Sequence, residues 1–341
     1  NNLFSLLSSL KYETSRMEEL LFNYLDDNQK KEYQALKKAK QQKELREFRK
    51  LRKTISKAFG NIPVGVINDG NVGAYWSSVI LEEGNILADS FGTSRGAGYT
   101  DEDGNITLFF TDMGNLIINL AENEGITHPK LGLSGVSSLH LSQQGVFRVA
   151  KALGIDVENY RVYVAQKFAK DNGITLTEGS DKEQTVLEAL KEKEEELARY
   201  KKALESDAEK LKYVQSLLNS NDSDLRQKAE KVFEEIGRYT AANLAQVYYY
   251  FNEQGINYYI LFGRVTKHKA GKILINSAKK HISLYIENYI RKLSSLAKEH
   301  IKEKAQEEFQ EKYTSLKKTI SQLQKVKLML AKDVAILNKV K

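Results

Sequence analysis

Asn68 and Asp69 stand where an apolar, β-branched run of Val64, Val66 and Ile67 gives way to Gly70. A second short run, Ile86 to Ala88, leads into Gly92, Thr93, Ser94, Arg95, Gly96, Ala97 and Gly98. Each run has the residue types of a buried strand, so the Asp69 carboxylate and the glycine loop are expected at two successive strand ends. Glycines free the loop backbone to turn its N–H groups toward an anion, and Thr93 and Ser94 add hydroxyl donors. Phosphoryl transfer asks for little more from a protein: a group to take a proton from the attacking hydroxyl, and donors on the phosphoryl oxygens. Asp69 is the candidate base, and Gly92, Thr93, Ser94 and Gly96 are the candidate phosphate cradle. A plainer role stays open for both. Asp69 could cap the helix that opens near Val72, and the glycines could serve only a hairpin entrance.

Other chemistries find less support. The five His residues, at 128, 140, 268, 281 and 300, show no HExxH spacing, and the chain has no Cys. Disulfides, thiolate metal sites and Cys nucleophiles are therefore excluded, and no metal-ligating residues are assigned. No G-x-S-x-G elbow is present; Leu133 to Gly135 reads LSG. The tyrosines at 248 to 250, with Tyr258 and Tyr259, fit core and sheet packing.

The elements that must position the candidate residues can be read along the chain. With 341 residues and 41% hydrophobic content, the chain can bury a full core and hold two domains. Residues 1–58 contain no Pro or Gly and favour helix, with Leu20, Leu21, Tyr24 and Leu25 on one face. Lys30 to Lys57 is basic, including Lys37, Lys38, Arg46, Arg49 and Arg52. A solvated helix face is the first reading of that stretch, and a phosphate-backbone or acidic-partner site the second. An α/β core is read over 61–180: strand, helix around Val72 to Val79, strand, glycine loop, then a hairpin through Asp101 to Gly104 completed by Thr107 to Phe110. His128 to Gly135 reads as a loop, and Ser137 to Leu153 as one helix ended by Gly154.

Residues 181–224 form a charged helical insertion with Val186, Leu187, Leu190, Leu197 and Leu204 at approximate helical spacing. That repeat is too short to decide between a hairpin within the chain and a coiled coil between chains. Residues 225–280 supply a core helix, with Gly237, Ala241, Ala242 and Ala245 at close-packing positions, and a strand ending at Gly263. Residues 281–341 read as helix to the end.

Three segments, INDGN at 67–71, FGTSRGAG at 91–98 and YYILFGRVTKHKAGKIL at 258–274, occur in the order found in the ROK family of bacterial sugar kinases and repressors. The chain resembles that family over 61–119 and, less closely, over 225–280. The resemblance implies a ribonuclease H-like (actin/hexokinase-type) α/β fold, here with long helical extensions and a helical insertion. It implies ATP-dependent phosphorylation of a sugar hydroxyl with ATP and Mg²⁺ as cofactors. Asn68 and Asp112 would contact the sugar, Asp69 would deprotonate it, and Gly263 would approach the adenosine. The family's DxGxT loop is not found before residue 60, and Asn115 stands where its motif has a His. Arg95 replaces a glycine of the phosphate loop, where its side chain would either add charge or block the site. A non-catalytic pseudokinase or sugar-sensing regulator, acting through its helices, is the alternative.

The expected partners are a nucleotide and a small sugar, with a homo-oligomer or a partner protein met through the helices. The net charge of +7, from 52 basic and 45 acidic residues, is modest and does not by itself argue for nucleic acid. No apolar run approaches the ~20 residues of a membrane span, and the absence of Cys and of a signal-like segment fits the cytoplasm.

Overall fold

The computed structural model describes residues 30–31, 34–35, 46, 50–63, 68–93, 95–107, 113–119, 127, 134–250, 255–300 and 306–334. The chain divides into two compact units, Asn1–Ile67 with Asn123–Ser134, and Asn68–Glu122 with Gly135–Lys341. In the first unit, residues 50–58 are helical and mostly exposed. That helix ends at Gly60 (φ 77°) and Asn61 (φ 63°), with the Ser56 hydroxyl donating to the Ile62 carbonyl. Thr127 and Ser134 form an isolated antiparallel bridge.

The second unit opens with helix α1 (Asp69–Leu81). Asn68 takes an extended conformation and its side chain accepts from Gly70 N–H, which satisfies one free donor of the first turn. Asp69 places negative charge at the positive end of the helix dipole. Glu82, in the left-handed region, ends the helix by donating to Ser78. Strands β1 (Ile86–Phe91) and β2 (Arg95–Thr100) follow as an antiparallel hairpin, and the short β3 (Ile106–Thr107) pairs with β2. The Asp101 side chain accepts from Asp103 and Asn105 N–H and shapes that second turn, with Gly104 at φ 80°. The continuation of the hairpin through Phe110 and the strand read over Val64 to Ile67 lie outside the described residues.

Helices then accumulate. The single helix read over Ser137 to Leu153 is corrected to two, α2 (Ser137–His140) and α3 (Gln143–Ala152), because Ser142 caps a fresh start by accepting from Gly145 N–H. Gly154, at φ 77°, ends α3. Helix α4 (Tyr160–Asp171) precedes the charged stretch, which is likewise divided, into the short α5 (Lys182–Ala189), α6 (Glu194–Leu204) and α7 (Asp207–Ser216). The first three close over a small core of Tyr160, Val164, Ala165, Val186, Leu190 and Tyr200. The apolar residues of the insertion are thus spent inside the chain.

Helix α8 (Ser223–Tyr250) runs into β4 (Tyr258–Phe262), then α9 (His268–His300) and α10 (Gln306–Lys325). A Cβ at Gly237 would lie 2.4 Å from the Leu274 carbonyl oxygen, so only glycine lets α8 and α9 cross this closely. The expectation of helix to the chain end is corrected by β5 (Lys327–Leu330), which pairs parallel to β4.

The sheet order is β3-β2-β1-β4-β5, with β1, β4 and β5 parallel to one another and β2 antiparallel to both its neighbours. Alternation along the strands sends Leu87, Tyr99, Tyr259 and Leu261 into the large core beneath the helices and Ile86, Ala88 and Ile260 toward α1 on the other face.

Candidate functional site

The C-terminal ends of the parallel neighbours β1 and β4 lie side by side, Ser90 opposite Phe262. Such an edge is where open α/β sheets bind ligands. From β1 the chain turns through Gly92 and Thr93 and re-enters the sheet at Arg95, which pairs with Phe91. From β4 it turns at Gly263, whose φ is 99°. A Cβ there would lie 2.5 Å from the Phe91 carbonyl oxygen, so the glycine lets the two strand ends touch. Val265 N–H then donates to Phe91 O, and Gln143 N–H, in the first turn of α3, donates to Gly92 O.

Asp69 reaches the same edge because α1 lies backbone to backbone on β2. A Cβ at Gly70 would sit 2.2 Å from the Ala97 carbonyl carbon, and one at Gly98 the same distance from Asn71 N. A Cβ at Gly96 would meet Asp69 Oδ1 at 2.5 Å. The glycines of the loop motif therefore have a packing duty independent of any ligand: they let the carboxylate lie on the strand. Asp69 and Asn68 are exposed, and Asp69 Oδ1 also accepts from Gly70 N–H at 2.9 Å. Asn71 is turned inward and buried. A mostly apolar groove of about 360 Å³ runs from Asp69 along Val72, Gly73 and Trp76 to Ile260, Phe262 and Ala331.

No protein-family model matches the chain, and no curated protein matches it in sequence. Solved structures do. One is a ROK family glucokinase from Streptomyces griseus, in complex with glucose and AMPPNP, at 15% identity and TM-score 0.40, covering 68% of this chain and 61% of that one. A ROK hexokinase from Thermus thermophilus follows at 14% and 0.38, covering 68% and 60%. A ROK family transcriptional regulator, described as a homologue of the E. coli MLC protein, stands at 16% and 0.38, covering 85% and 55%. The chain is similar to ROK-family structures. It spans 61%, 60% and 55% of the length of these three.

Of the candidate residues, Asn68, Asp69, Gly92, Thr93, Gly96 and Gly263 fall on one sheet edge, and Ser94 and Asp112 lie outside the described residues. Arg95 does neither of the things its place in the loop implied. Neighbouring residues of a strand face opposite ways, so with Gly96 under Asp69 the Arg95 side chain must enter the other face. There it is fully buried and ion-paired with Asp89, itself fully buried. Arg95 Nε donates to Asp89 Oδ1 at 2.8 Å, and Nη1 donates to Met113 O, Ser137 Oγ and Asn243 Oδ1 at 2.8, 2.5 and 2.9 Å. Burial opposes the guanidinium charge, but the Asp89 carboxylate more than offsets it and holds Arg95 above its ordinary value. Tyr259 donates to Asp89 at 2.6 Å, and burial followed by the nearby carboxylate pushes its phenol far up, so it stays protonated.

Sequence reasoning missed this cluster. Its signal was Asp89, a carboxylate in the apolar run ILADSF, which a buried strand tolerates only with a cation on the same face of its hairpin partner. It also missed Gln143, wholly buried with neither amide atom paired among the described residues. Among those residues no three His, Asp or Glu side chains gather as a metal site, and no helix is long and apolar enough to cross a membrane.

Proposed function

We propose that this chain supplies the half of an ATP-dependent sugar kinase that carries the base and a phosphate-binding turn, on a ribonuclease H-like unit. The observation that carries this reading is the placement of the Asp69 carboxylate against Gly96, beside the Gly92–Thr93 turn and at the mouth of the β1–β4 pair. The strand order β3-β2-β1-β4-β5, with β2 reversed, supports the fold assignment. Asp69 would take the proton of the sugar hydroxyl, Asn68 would donate to that hydroxyl through Nδ2, and Thr93 with the turn's N–H groups would hold phosphate oxygens. Gly263, whose packing on the Phe91 backbone already requires a glycine, would approach the adenosine. Asp69, the one carboxylate at this edge among the described residues, would bind Mg²⁺ only together with the phosphates of ATP, and the ion would offset their charge during transfer.

Asp69→Asn in the complete polypeptide should leave the melting curve in place and lower sugar phosphorylation by about 10²- to 10⁴-fold. An unchanged rate removes Asp69 from the mechanism. One observation favours a second, non-catalytic reading: Asp69 Oδ1 already accepts from its own helix N-terminus, as a purely structural carboxylate would. Calorimetry separates the two, since ATP–Mg²⁺ binding favours the kinase and sugar binding alone favours a sensor.

A further inference from the structure

We infer that Arg95 is a positioning residue: locked by Asp89, it fixes the β1–β2 turn against the Met113–Asn115 turn and thereby sets how tightly this edge holds phosphate, a consequence that rests on the nucleotide reading above. The turn is short, because Phe91 and Arg95 are already paired across it, so anchoring the Arg95 backbone constrains Gly92 and Thr93 directly. The anchor is unusually complete. Two nitrogens of the guanidinium engage Asp89, while Nη1 reaches oxygens on three further elements: Met113 in the short 3₁₀ turn, Ser137 at the start of α2 and Asn243 in α8. Ser137 Oγ in turn donates to Met113 O at 2.6 Å, and Asn243 Nδ2 donates to Tyr259 OH at 3.2 Å. Strands β1, β2 and β4 are thus joined to two helices and a turn through one planar cation, which a lysine could not imitate. Stability alone does not explain such a pair, since well-packed apolar residues would serve at least as well. Fixed geometry at a ligand edge does.

The test uses the whole chain with both charges replaced, Arg95→Leu with Asp89→Leu, which removes the cluster without leaving an unpaired charge. In the ligand-free protein, amide exchange at Thr93, Gly96, Gly114 and Asn115 should accelerate while α4 to α6 exchange as before. ATP affinity should fall about tenfold or more with adenosine affinity unchanged. Unaltered exchange at those amides, or equal losses for ATP and adenosine, would overturn the inference. Should the double variant fail to fold, Ser137→Ala keeps the ion pair and should shift exchange and ATP affinity the same way, severalfold; no shift there also overturns it. A wild-type chain that binds neither ATP nor adenosine would sink the nucleotide reading and the phosphate consequence with it, while exchange still decides whether Arg95 fixes the turn.

Discussion

The sheet edge around α1 and the helical layer of α4 to α6 are held together by opposite means. At the edge, backbone meets backbone: Gly70, Gly96 and Gly98 remove the side chains that would separate α1 from β2, and one buried ion pair secures the far face. In the helical layer, side chains do the packing, with Phe168 tilted against Tyr200 at 5.0 Å and Tyr160 donating to the Leu204 carbonyl. The first arrangement places a carboxylate accurately and tolerates almost no change in volume. The second only encloses a core, and many residues of similar size would do the same.

The largest departure between the two regions should come from alkaline pH. Burial raises the phenols of Tyr99, Tyr248 and Tyr259, all around the sheet, well above the usual 10.0, whereas Tyr200 in the helical layer is pushed up to about 12. The unfolded chain sheds these protons near pH 10 while the folded chain keeps them. Stability from the buried phenols is therefore complete below pH 10 and is lost as the pH rises beyond it. Amide protection in β1 and β4 should fall with pH more steeply than in α4 to α6; equal slopes would erase the distinction.

Arg95→Met, which strands the Asp89 carboxylate in the core, should cost about 3–5 kcal/mol in denaturant unfolding. A loss below that of an exposed ion pair would mean that the cluster is not buried in solution. Gly98→Ala should cost about 1–3 kcal/mol, because its methyl group meets the Asn71 backbone rather than a movable side chain. Leu190→Met, in the core of the helical layer, keeps volume and should cost under about 1.5 kcal/mol in the same measurement. If the leucine change proved the costlier, the contrast would be reversed.

Much of the sheet edge could be read from residue order alone. INDGN announced a helix start and Gly92 a tight turn, because both depend on local conformation, whereas Gly96 and Gly98, read as part of that loop, lie inside β2. What escaped depended on partners distant in sequence. Lys327 to Leu330 reads KLML, good helix formers that become a strand only because β4 offers an unpaired edge. The insertion lacks Gly and Pro between α5 and α6, so its breaks are imposed by closure over a shared core and carry no local mark. Arg95 drew notice as a charge in a phosphate loop, but strand alternation, applied from Gly96, already sent it to the opposite face.

The late arrival of β5 bears on how this chain is made. Its partner β4 is complete at Phe262, yet the residues that cover that strand's open side emerge only after two long helices have been synthesised. Until then a nascent chain must carry a bare row of amide and carbonyl groups in β4, the kind of template that recruits foreign strands. A ribosome stalled before Lys327 would therefore release a species prone to clump through β4, while one stalled after Leu330 would release a sheet in which the short β5 takes over as the edge.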